Sequence, residues 1–244
     1  IVYRYIPIRP YFPFIGEGLL LLATWTLYRT EGKTLSALGL TVSGRNIAWL
    51  LAGLFIAIVA FLVVTGLRTF YTGEVWHLSS AVDAAAMGES LYYILPTVMA
   101  QELLFRGYLF TKTISRLGVV RANAISALLF MLVHVLDKDV LQQPMQAIFL
   151  LVAIPVGHLW FATALLRSGT LLFPIGLHWG NNWAVQHLAG NADSTQNLFY
   201  LTGQTVHTTW SSFVVMLLIF VLFFLLVTWA TWKIRWPLAS KPTL

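Results

Sequence analysis

Cysteine is absent from this chain of 244 residues, and Asp, Glu, Lys and Arg together make up only 10% of it. The first absence excludes disulfides, thiolate nucleophiles and thiolate metal sites. The second excludes an ordinary soluble domain, which carries about 25% charged residues. Acidic residues are the scarcest: nine, against 15 Lys and Arg. A basic excess can mark a nucleic-acid binder. Here the cations sit singly or in small groups at the ends of apolar runs, as topology determinants do, and nucleic acid is excluded as a partner. No internal repeat and no linker composition divides the chain, so one domain over 1–244 is expected, with a motif core about 90–190.

The rest is apolar. Hydrophobic residues make up 58% and the mean hydropathy is +0.77. Stretches near 20 residues, enough to cross a bilayer as helix, recur along the whole length. They predict an all-α, polytopic transmembrane bundle with spans near 12–28, 47–67, 90–113, 120–136, 141–166, 170–189 and 209–232. That is seven, or eight if a helix precedes Ile1. The segment 29–46 reads as a short interfacial helix or ordered loop, and the polar stretch 68–89 as a lid or surface feature.

On this layout one side receives Arg29, Lys33, Arg45, Lys112, Arg116, Arg121, Arg167, Lys233, Arg235 and Lys241. The other receives Arg4, Arg9, Arg68 and Lys138. The positive-inside rule makes the richer side cytoplasmic, the C-terminus with it.

Polar residues interrupt this background at Gln101-Glu102-Leu-Leu-Phe-Arg106, Phe130-Met-Leu-Val-His134 and His178-Trp-Gly-Asn-Asn182. A charge or imidazole at such depth is expensive unless paired or facing a wet cavity, so a functional site is the default reading. Glu102 and Arg106, four apart on a helix, share a face and suit an ion pair. That pair reads equally as a structural lock between helices. Gln101 lies about 100° around the helix from Glu102. Its amide can orient water or a peptide but accepts no proton at neutral pH, so it is no general base. A lone His in an apolar helix is more often a packing residue than a catalyst. His77 and His207 fall in predicted loops, His158 follows the Pro155-Val-Gly157 interruption, and His187 lies near a helix end. His134 and His178 stand out by their company. His178 and Asn182 share a face of a segment that also holds Gly176, Gly180 and Asn181, small enough to admit another helix or a substrate backbone.

In that order and on successive helices, Gln101-Glu102-x-x-x-Arg106, Phe130-x-x-x-His134 and His178-x-x-x-Asn182 resemble the three signature motifs of the CPBP family. These intramembrane endopeptidases include CAAX prenyl proteases and bacteriocin-processing (Abi-like) proteins. The family pattern opens Glu-Glu-x-x-x-Arg, so Gln101 stands at the position of the first Glu. The resemblance implies hydrolysis of a peptide bond in a membrane-associated protein or peptide by activated water. The first Glu, with His134, would polarise the water, while His178 and Asn182 stabilise the oxyanion. Glu102, Arg106 and Phe130 would complete and support the frame. The family is often labelled metalloprotease, which makes His134 and His178 candidate zinc ligands. A glutamate-and-water mechanism explains the same residues without metal. With an amide at 101, the resemblance implies a chain that cuts little or nothing, whether through an engineered change or as a natural pseudoprotease acting as a scaffold or regulator. A transporter is the outside alternative, since polar residues at mid-depth and a Pro/Gly-broken helix are features of such proteins.

Overall fold

A computed structural model of the chain describes residues 14–190, 192–203 and 209–234. Arg4, Arg9, Arg235, Lys241 and His207 lie outside the described residues. The elements run α1 (Ile15–Thr30), a 3-10 turn (Leu35–Leu38), α2 (Gly44–Thr72), β1 (Val75–Leu78), α3 (Ala84–Arg106), α4 (Tyr108–Val135), α5 (Lys138–Leu141), α6 (Pro144–Ser168), α7 (Leu172–His187), β2 (Ala189–Gly190), β3 (Phe199–Thr202) and α8 (Trp210–Lys233). The protein is an all-α, membrane-type bundle with one small sheet.

Among the described residues, four stretches are long and apolar enough to span: 44–72, 84–135, 144–168 and 210–233, the second of them holding both α3 and α4. The seven expected spans are therefore not all matched by length and composition. α1 and α7 have 16 residues each, roughly 24 Å at the helical rise, short of a hydrocarbon core of about 30 Å. The expected spans 90–113 and 120–136 fall within a single stretch with two breaks, one inside the first expected span and one in the expected gap between them. Helix α3 stops at Arg106 because Gly107 leaves helical dihedrals, and a side chain there would meet the Leu103 carbonyl at 2.1 Å. The second break is Gly118, held at φ +81°, a conformation that favours glycine. The residues between them, including Lys112 and Arg116, are helical rather than loop. Helix α6 continues through Pro155 and Gly157, so the expected interruption does not break it.

Caps set the other boundaries. Ser43 accepts from the Asn46 amide at 3.2 Å to open α2, and Asp83 accepts from the Ala86 amide at 3.0 Å to open α3. The segment 29–46 is ordered around the 3-10 turn. Asn46 Nδ2 donates to the Gly39 and Thr41 carbonyls at 2.7 and 2.8 Å, and the Leu171 amide donates to the Leu38 carbonyl at 2.8 Å. Tyr108 donates to Glu31 at 2.6 Å and Lys112 pairs with the same carboxylate, tying the end of α1 to α4. The Lys112 bond first, and the Tyr108 bond after it, hold the Glu31 carboxyl below the usual carboxylate range.

α7 is the central short helix, packed most closely on α2. A Cβ on Gly176 would lie 2.1 Å from the Leu50 carbonyl, and one on Gly180 2.3 Å from that of Leu54. The small residues of α7 therefore serve an approach between helix backbones. Trp49 of α2 closes the contact against Phe173, ring centroids 4.6 Å apart.

The stretch 68–89 is not an independent lid. It holds the end of α2, β1 and the start of α3, and β1 pairs antiparallel with β3, with Leu78 opposite Phe199. β2 joins β3 in parallel, giving the order β1-β3-β2. His77, expected in a loop, lies on β1 and bonds Thr202 at 2.7 Å. Asp193 clips the following turn: Ser79 and Ser80 hydroxyls donate to its two oxygens at 2.6 and 2.7 Å. These bonds, Ser79 first, hold the Asp193 carboxyl below its ordinary value of 3.8. A depressed folded pKa contributes stability above the ordinary value and loses it as pH falls through the folded one. Limited proteolysis between 192 and 198 should therefore stay slow at pH 4 and quicken only in stronger acid. Asp193→Asn should be cut faster at neutral pH and without that acid transition. An unchanged rate in the variant would show that the clip does not hold the loop.

Candidate active site

Three helices converge. α3 brings Glu102 and Arg106, the last two turns of α4 bring Phe130 and His134, and α7 brings His178 and Asn182. Glu102 and Arg106 have no exposed surface, and their i,i+4 spacing yields the expected ion pair, Arg106 Nη1 to Glu102 Oε1 at 2.9 Å. The same Oε1 receives His178 Nδ1 at 2.8 Å. A carboxylate only accepts, so Nδ1 carries the proton, and Nε2 is the nitrogen left for chemistry. Glu102 thus ties α3 to α7 and sets the orientation of the His178 imidazole, a link that spacing along one helix could not reveal.

Phe130 is the hub of the packing. Arg106 Cζ sits 4.2 Å from its ring centroid, a cation–π contact, and the His134 ring lies 4.6 Å away edge-on. His134 Nδ1 donates to the Phe130 carbonyl at 2.7 Å, which again leaves Nε2 free. Phe161 of α6 stacks on His178 with centroids 5.0 Å apart and planes at 20°. Nothing in the sequence pattern singled out Phe161, since one more aromatic in an apolar helix carries no signal.

His134, His178 and Asn182 all line one cavity of ≈ 720 Å³, with Asn181 beside them. Its remaining wall is largely apolar and comes from α2, α6 and α8, through residues such as Phe61, Phe149 and Phe220. Arg68 is the one charged side chain on that wall, and it pairs with Glu74 at 3.1 Å. Gln101 does not line this cavity. It is half-buried, and its Oε1 is buried without a hydrogen-bond partner. Glu102 also lies outside the lining and reaches the cavity through His178.

The donor set does not suit zinc. A catalytic zinc needs three protein ligands. Among the described residues no group of three His, Asp or Glu side chains is arranged to hold a metal. Of the nearby groups, Glu102 Oε1 is already shared between Arg106 and His178, and position 101 offers an amide.

Comparison of the chain with protein families matches residues 83–184 to the type II CAAX prenyl endopeptidases, Rce1-like. This segment belongs to the CPBP family of intramembrane endopeptidases. It covers less than half of the chain but contains all three motifs, α3 and α4 whole and α7 through Ala184. No curated protein and no solved structure matches. Residues 83–184 are thus similar to a family of membrane proteases, whose members act on peptide or protein substrates. Three motifs dispersed along 82 positions, Gln101 to Asn182, thus meet at Phe130 through Arg106, His134 and His178.

Proposed function

We propose that this chain is built to hydrolyse a peptide bond of a membrane-associated protein or peptide by attack of an activated water. The observation that carries this reading is the meeting of His134, His178 and Asn182 on one cavity. His134 presents Nε2 to hold the water, and the residue at 101 is the position of the base. His178 and Asn182 donate to the oxyanion. With Nδ1 committed to Glu102, His178 donates from Nε2 only when it also carries a proton there, and the Glu102 carboxylate stabilises that imidazolium. Arg106 and Phe130 keep Glu102 and the two imidazoles in register.

With an amide at 101 the base is missing, and the chain as written cleaves little or nothing. A non-catalytic scaffold or regulator is the second reading, favoured by that same amide. A transporter is the weaker alternative, with α6 unbroken. The apolar cavity suits a substrate that brings its own hydrophobic part: a prenylated C-terminal peptide, a leader peptide or a lipid-embedded tail.

The oxyanion assignment is tested in the Gln101→Glu protein. Removing one such donor typically costs about 10²–10³-fold in kcat. Asn182→Ala in that protein should lose about as much, with KM nearly unchanged. A kcat within about threefold of the parent would remove Asn182 from the reaction.

The chain is further proposed to be a multi-pass protein of the cell membrane with its C-terminal end in the cytoplasm. Two contacts support a common end for the basic segments. The Leu171 amide bonds Leu38, and Arg167 donates to the Ile234 carbonyl at 3.3 Å. A chain free of cysteine allows a direct test. In intact cells, an impermeant maleimide should label Leu78→Cys and spare Val42→Cys, both native side chains being exposed. The reverse pattern inverts the topology.

A further inference from the structure

His158 is the most deeply buried of the described histidines, and the proposed reaction leaves it unused. It has no exposed surface, and neither ring nitrogen has a hydrogen-bond partner. It lies one turn before Phe161 on α6, and Arg106 Cζ is 5.3 Å from the Phe161 ring. Phe130 is a common neighbour of the two groups, with His158 6.4 Å from its centroid and Arg106 at 4.2 Å. Phe110 closes the far side, 5.8 Å from His158 and edge-on.

On Glu102, Arg106 and His158, the first two paired with each other and the last two sharing Phe130 as a neighbour, five buried polar atoms lack protein partners: Glu102 Oε2, Arg106 Nε and Nη2, and His158 Nδ1 and Nε2. Native interiors rarely leave such atoms unpaired, and clusters of them are where internal water is held. The set is also complementary. Arg106 supplies only donors, Glu102 only an acceptor, and a neutral imidazole one of each. Two waters, each able to donate twice and accept twice, are enough to satisfy all five.

We propose that His158, Arg106 and Glu102 enclose a buried water site separate from the substrate cavity, and that His158 is a positioning residue for the site through it. None of the three lines that cavity. The water supplies the second half of the Glu102 and Arg106 hydrogen-bonding shells. It thereby fixes the carboxylate that holds His178. This rests on the peptidase reading only for its consequence, not for the existence of the site.

The test is radiolytic footprinting of the wild-type chain in bicelles made with ¹⁸O-water, in which side chains touching bound internal water are oxidised despite burial. Phe110 and Phe173 are equally buried, each 1% exposed, and neither lines the cavity. Phe110 should be labelled at least fivefold faster than Phe173, and His158→Phe should abolish the difference while His158→Gln keeps part of it. Equal slow labelling of Phe110 and Phe173 in the wild type overturns the proposal, whatever the variants do. That readout needs no enzymatic activity. In the Gln101→Glu protein, His158→Phe should lower kcat with KM unchanged, and His158→Gln should restore most of it. An unchanged kcat in the His158→Phe protein, with Phe110 labelled in the wild type, keeps the water site and removes its positioning role.

Discussion

Gln101→Glu should raise peptide-bond cleavage by about 10²–10⁴-fold, the usual contribution of a positioned general base. The Gln101 amide has the shape of a carboxylate and keeps one acceptor oxygen, but it lacks the basicity. Everything else in the proposed machinery is present. Glu102 holds His178 at 2.8 Å, His134 is fixed by its own turn, and Asn182 lines the cavity with both imidazoles. The substitution changes one atom and adds a charge at a half-buried position whose side-chain oxygen is enclosed. The measurement is release of a reporter from a membrane-anchored peptide in vesicles, with the two proteins at equal amounts. Equal, robust cleavage by both would mean that the residue at 101 is not the base, and would direct attention to Glu102 with His178. Silence in both, over a panel of membrane peptides, would favour the scaffold reading.

The largest loss of stability is expected at Glu102→Ala. The carboxylate is fully buried and neutralises Arg106, which is also fully buried. Removing it strands a guanidinium beneath Phe130 and releases His178 from α3. Breaking a buried pair from one side typically costs about 3–5 kcal/mol, because the remaining charge keeps its desolvation penalty. Replacing both partners by apolar residues is far less costly. Glu102→Leu combined with Arg106→Met should thus recover most of the loss, while remaining inactive in the Gln101→Glu background because His178 is no longer oriented. Reversible unfolding in mixed micelles, followed by circular dichroism, reads the difference. A single-variant loss below about 1 kcal/mol would show that the pair is not a principal lock of the fold.

The fold class was legible because burial in lipid demands it. Long apolar runs must satisfy their backbone internally, and helices do this within one segment. The site was legible for a related reason: ionisable residues are so costly at that depth that their presence marks function. What hydropathy could not read was where a helix stops. Gly107 and Gly118 break the chain by backbone conformation, and neither changes the apolar average around it. The small strands were equally hidden. β1 and β3 are four residues each and are separated by more than 100 positions, so their pairing depends on α2, α3 and α7 placing them together.

Composition and motif spacing by themselves determined a cysteine-free, helical membrane protein with a Glu102–Arg106 pair and three polar motifs of protease type. Local geometry suffices for these, because they depend on residues within a few turns of one another. Only the tertiary structure decided that Glu102 also grips His178, that α7 lies against α2 through Gly176 and Gly180, and that Phe130 packs against both the ion pair and the imidazoles. Glu102 and His178 are 76 positions apart in the chain, and Gly176 and Leu50 are 126 apart; packing of whole helices sets such contacts.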